Sequence, residues 1–83
     1  MESRTCRIDG HVIVYSDPAS PALPYYLYGY VTGEPTCGLD ILRARFIISS
    51  SRAKEVLARY PKFNTLSGRI LKVVEERKII LEA

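Results

Sequence analysis

The sequence predicts a mainly β domain with one helix, five strands in the order β-β-β-α-β-β closing into a small barrel. Three observations predict it. Five runs are rich in β-branched and aromatic residues, one stretch between the third and fourth repeats with helical period, and Gly, Pro and Ser clusters separate them.

Residues 5–15 alternate, with Cys6, Ile8, Gly10, Val12 and Val14 on one face and Arg7, Asp9, His11, Ile13 and Tyr15 on the other, which predicts a half-buried strand. Gly10 inside it marks a bend or a barrel corner. Residues 16–24 hold three of the five prolines and read as a stiff loop. Residues 25–31 form the second strand, 31–38 turn the chain, and 39–48 form a third strand with Leu42, Ala44, Phe46 and Ile48 toward the core.

The Ser49-Ser50-Ser51 run supplies capping oxygens for a helix at 51–60. Ala53, Val56, Leu57 and Tyr60 recur at i, i+3, i+4 and i+7 as its apolar stripe, and Glu55 precedes Arg59 by four residues, in ion-pair order. Pro61 stops the helix by disfavouring helical geometry at Tyr60. Beyond it, residues 66–74 and 78–83 read as two short strands joined by a charged turn at Glu75-Glu76-Arg77.

This order, with Gly10 in strand one, a helix after strand three and Gly68-Arg69-Ile70 opening a last hairpin, resembles the OB-fold over nearly the whole chain. The same elements also fit a ferredoxin-like or SH3-like arrangement. An OB-like barrel implies one domain over residues 1–83, and binding of single-stranded nucleic acid across strands two and three.

Eighty-three residues suffice for one core. No apolar run approaches the roughly 20 residues that cross a bilayer, and Met1-Glu2-Ser3-Arg4 leads into polar sequence, so a cytoplasmic protein without membrane contact is expected. Cys6 and Cys37 lack metal-ligand spacing and fit small buried apolar roles better than a disulfide. The absence of Gln, with eight Arg against four Lys, leans toward a thermophilic source, where a Cys6–Cys37 disulfide gains weight. A net charge of +3 permits an anionic partner without demanding one.

Within the second strand, alternation sets Leu27, Gly29 and Val31 toward the core and Tyr26, Tyr28 and Tyr30 outward, because three buried hydroxyls would each need a partner. Beside Arg43 and Arg45 of strand three, these tyrosines would stack bases while the guanidinium groups hold phosphates. The same face suits a protein partner or a second copy, since Tyr and Arg are both enriched at interface centres. Tyrosines that simply cover the barrel are the third reading. Arg52, Lys54 and Arg59 read as a solvated helix face, His11 as a surface histidine, and Ser49-Ser50-Ser51 as a cap, since the one histidine is remote in sequence. No phosphate loop, metal site or cofactor is indicated, and nothing in the pattern points to an enzyme.

Overall fold

The computed structural model describes residues 2–17 and 19–82. The chain builds β1 (Glu2–Asp17), β2 (Ser20–Val31), β3 (Glu34–Gly38), a 3-10 turn (Ile41–Arg43), α1 (Ser50–Arg59), β4 (Lys62–Phe63) and β5 (Leu66–Leu81). The strands form one antiparallel sheet in the order β3-β2-β1-β5-β4. The mainly β class with one helix therefore holds, but the sheet is open: β3 and β4 lie at opposite edges and do not pair.

The expected strand at 39–48 is what closure lacks. Asp40 caps the 3-10 turn by accepting from the Leu42 amide at 3.0 Å, which spends the first half of the segment on a turn. The second half makes one bridge, in which His11 and Ile47 exchange backbone hydrogen bonds of 2.8 and 2.9 Å. Ile47 is consequently the buried residue, while Leu42 at 91% and Ile48 at 68% exposure leave the core that alternation assigned them. The third strand is instead Glu34–Gly38, joined to β2 by Thr32 and Gly33, both at positive φ, as a two-residue hairpin turn requires.

The expected loop at 16–24 contracts as well, because β2 begins at Ser20; Pro18 lies outside the described residues. The prolines at 21 and 24 fall where β3 does not accompany β2, so the amides they lack face no partner strand. Helix α1 forms as expected, with Ser49 accepting from the Arg52 amide at 3.3 Å and Tyr60 as its C-cap before Pro61. Glu55 pairs with Arg52 at 3.1 Å, one turn back, and not with Arg59.

The largest departure is β5. Residues 66–81 form one strand, so Glu75-Glu76-Arg77 is mid-strand and not a turn. It pairs with β1 in one register from Glu2 opposite Leu81 to Ser16 opposite Ser67. In the inner half of this ladder Val12, Ile13, Val14 and Tyr15 are all buried, because both faces are covered. Ala53 and Val56 of α1 pack with Ile13, Tyr15 and Leu27 on one face. On the other, the Phe46 ring lies where a Cβ on Gly10 would stand, so only glycine admits it. In the outer half, residues 2–9 and 74–81 project as a ribbon; at its base the Ile41–Leu42 turn faces Val74, Glu75 and Glu76 across a groove, and beyond that no element covers either face among the described residues. The molecule measures 52 × 25 × 22 Å with a radius of gyration of 15.1 Å, where a compact chain of this length has about 12 Å. Among the described residues no helix is long and apolar enough to cross a membrane.

Both cysteines are free; Cys6 is exposed on the ribbon, correcting its expected burial, and Cys37 is half-buried against the core. Burial pushes the Cys37 thiol up to about 11 and the Tyr15 hydroxyl, which donates to the Tyr60 carbonyl at 2.7 Å, up to about 12.

Two outcomes follow from this packing. A Cβ on Gly68 would lie 2.7 Å from Leu57 Cδ1, 2.8 Å from Tyr15 Cε1 and 3.0 Å from the Pro61 oxygen, whereas one on Gly29 meets nothing within 4 Å. In urea denaturation Gly68→Ala loses about 1–3 kcal/mol and Gly29→Ala less than about 0.5 kcal/mol. Both raised groups hold their protons more tightly when folded, so the stability linked to them is full below their unfolded values of 9.0 and 10.0 and falls as pH rises toward about 11 and 12. Stability measured by denaturation at rising pH falls from about pH 9, and Cys37→Ala removes the earlier part of the loss, Tyr15→Phe the later.

Candidate nucleic-acid interface

The three outward tyrosines of the sequence do not share a face. Between Leu27 and Gly29 the pairing of β2 with β3 slips by one residue, a bulge at Tyr28 that reverses the alternation beyond it. Tyr26 stands opposite Val14 and Gly38, and the Tyr28 ring occupies the place of a Cβ on Gly38, so these two share the face away from α1. Tyr30 turns to the helix side, where it packs against the core and against the Tyr60 ring, with centroids 5.0 Å apart and planes at 33°.

Each expected arginine nevertheless finds a tyrosine. The Arg43 guanidinium lies 4.9 Å from the centre of the Tyr28 ring, and that of Arg45 lies 5.4 Å from the Tyr30 ring. The first pair is set by the 3-10 turn, since the Tyr28 hydroxyl accepts from the Asp40 amide at 2.8 Å. The second is set by the backbone, because the Arg45 amide donates to the Leu27 carbonyl at 2.8 Å as the segment leaves the turn. The tyrosines are half-buried and the arginines exposed, so the guanidinium planes are the outermost surfaces of both stacks. An Arg–Tyr stack is worth about 0.5–1 kcal/mol at an exposed site and leaves the outer face of the guanidinium open.

Around Tyr30 stand Arg52 and Arg59, which the sequence suggested were only a solvated helix face, and Tyr60, which it placed in the apolar stripe. A shallow recess is lined by Tyr30, Arg45, Arg52, Glu55, Val56 and Arg59, and the Tyr60 ring lies against that of Tyr30. The Tyr60 hydroxyl donates to the Gly33 carbonyl at 2.8 Å, tying the end of α1 to the tip of the β2–β3 hairpin. Three guanidinium groups thus meet one carboxylate, Glu55, which is already bound to Arg52. The i, i+7 spacing of Arg52 and Arg59 was a legible signal that they share a helix face; that β2 brings Tyr30 and Arg45 to that face was not.

Charge is divided along the molecule in the same sense. Residues 10–73 hold eight of the twelve Lys and Arg and four of the nine Asp and Glu, whereas the ribbon with Glu82 holds four basic and five acidic residues. The whole positive excess belongs to the body.

His11 is half-buried rather than a surface residue, and its Nδ1 donates to the Ile47 carbonyl at 3.1 Å. With Asp9, Lys72 and Ser50 it lines a recess of about 620 Å³, so the serine run and the histidine, remote in sequence, are neighbours in space. Among the described residues no hydrogen bond joins Ser50 to His11, whose Nδ1 proton is held by the backbone. Comparison of the chain with protein-family models, curated proteins and solved structures finds no match.

Proposed function

We propose that this chain is a non-catalytic single-stranded nucleic-acid-binding protein that carries the strand on the helix side of β2. The observation that supports the reading is the gathering of Arg45, Arg52 and Arg59 round the Tyr30–Tyr60 pair, with Glu55 as the one acid among them. Guanidinium planes stacked on tyrosine offer both charge for phosphates and a flat surface for bases, and base stacking is worth about 1–3 kcal/mol per base in such sites. Tyr28 and Arg43, with Tyr26 beside them, form a second Arg–Tyr pair on the opposite face of the sheet, which a longer strand would reach by passing round the β3 edge.

A second reading, a subunit that docks a protein, is favoured by a separate surface. Leu39, Ile41, Leu42 and Ile48 are all at least 47% exposed, and Ile41 and Leu42 line an apolar groove of about 430 Å³ with Phe46 and Val73.

The two readings part in one titration. The chain has six Tyr and no Trp, so its emission reports the site directly. A short oligothymidine or oligouridine at low salt quenches that emission saturably, and salt reverses it. Replacing Arg45 and Arg59 together by Ala lowers the slope of log affinity against log salt by about 0.7 for each phosphate no longer neutralised. Absence of saturable binding to any single-stranded DNA or RNA, or an unchanged slope in the double variant, overturns the nucleic-acid reading; Leu42→Ala leaves the oligonucleotide affinity unaltered if that reading is right.

A further inference from the structure

The ribbon poses a separate question, because a two-stranded ribbon open on both faces over most of its length is marginally stable in water. Val74, Ile79, Ile80 and Leu81 on it are 46–53% exposed. Along its outer side β5 pairs with β4 only at Leu66 and Ser67, and the Gly68 amide donates to the Pro61 carbonyl at 2.8 Å; from there to Leu81 the edge has no partner among the described residues. Such an edge is a template for another strand.

The backbone says which groups it offers. His11 exchanges both of its hydrogen bonds with Ile47, so it and the other odd-numbered residues of β1 point away from β5. In the observed register the odd-numbered residues of β5 then bond β1, and Lys72, Val74, Glu76, Lys78 and Ile80 present N–H and C=O groups to the open edge. The outward Gly68 amide agrees with this count.

We propose that two copies of this chain join antiparallel through their β5 edges, about a two-fold axis at Glu76, into one continuous sheet. In this register Leu71 meets Leu81, Val73 meets Ile79 and Glu75 meets Arg77 of the second copy, each contact occurring twice. These are the narrow pairs of an antiparallel ladder, where side chains approach most closely, and every one is apolar with apolar or acid with base. Glu75 and Arg77 already pair within one chain at 3.2 Å, so the dimer joins two such pairs into a four-charge cluster. Glu76 meets its copy across a wide pair, with Lys78 of each chain on the diagonals.

Among the narrow pairs the match belongs to this register and this edge, while the wide pairs set Glu76 against Glu76 and Val74 against Lys78. Centring on Arg77 sets that residue against itself and Glu75 against Ile79, while centring on Glu75 sets two carboxylates together and Val73 against Arg77. The free edge of β1 offers no equivalent: its central registers oppose Arg4 to Cys6 and Glu2 to Ile8, or Arg4 to Ile8. With residues 71–81 engaged, the two bodies extend toward opposite ends of the joint ribbon, the paired segment begins beyond Ser67, where pairing with β4 ends, and the Ile41–Leu42 turn of each copy flanks the centre.

Light scattering on the full chain without nucleic acid is expected to give twice the 9.4 kDa mass, with dissociation on dilution. Lys78→Pro removes an edge amide that β1 does not use, and Arg77→Glu places acid opposite acid; each raises the dimer dissociation constant at least about tenfold. Glu75→Arg with Arg77→Glu restores the opposition of charges and the dimer. In a Cys6→Ser background Glu76→Cys crosslinks to itself under mild oxidation. A monomer at every concentration overturns the proposal. So does a dimer that survives both single variants with the ribbon intact by circular dichroism, or one that the charge swap fails to restore.

Discussion

The pairing of β1 with β5 is the interaction on which the other features depend. It runs in one register for the full length of both strands, and each part of the molecule is placed by where it meets that ladder. Where helix α1 and the Phe46 segment cover its two faces, hydrophobic burial adds to the hydrogen bonds and a core forms round Ile13 and Tyr15. Where nothing covers it, the same ladder continues as a ribbon whose apolar side chains stay in contact with water.

The body makes its site by bending away from that ladder. β2 follows β1 at Asp17, Tyr15 and Val14, then bulges at Tyr28, and Ile47 takes the backbone groups of His11 that β2 leaves free. This divergence lets the 44–47 segment pass between the strands, and it carries Arg45 to the helix side. The Arg–Tyr stacks are therefore consequences of an irregular sheet; a regular alternation would have kept Tyr26, Tyr28 and Tyr30 on one face and away from α1.

Local signals were legible in the sequence and cooperative ones were not. Ser49, the Ala53–Val56 spacing and Pro61 fix a helix by interactions within a few residues, and these held. In the 39–48 segment alternation favours the wholly apolar set that ends at Ile48 over the set that holds Arg43 and Arg45, but the bridge to His11 buries Ile47, and no local period encodes that long-range contact. Glu75-Glu76-Arg77 resembles a turn only if a strand must have a buried side; on a ribbon wet on both faces charged residues cost little, and the strand runs through them. The bulge at Tyr28 follows from the pairing with β3, which begins where the Thr32–Gly33 turn sets it, and no pattern within β2 encodes it.

The register that places Glu2 opposite Leu81 has a mechanical meaning. Both ends of the ladder leave from the tip of the ribbon, side by side, so tension applied through them loads one pair of hydrogen bonds at a time. A ladder pulled in this way opens like a zipper at low force, whereas the same bonds pulled along the strand axis would share the load. Opening would travel inward through the wet half with little resistance and stall at Val12, where the two covered faces begin. The chain thus combines a compliant extension with a stiff body, and the boundary between them is the point at which Gly10 makes room for Phe46.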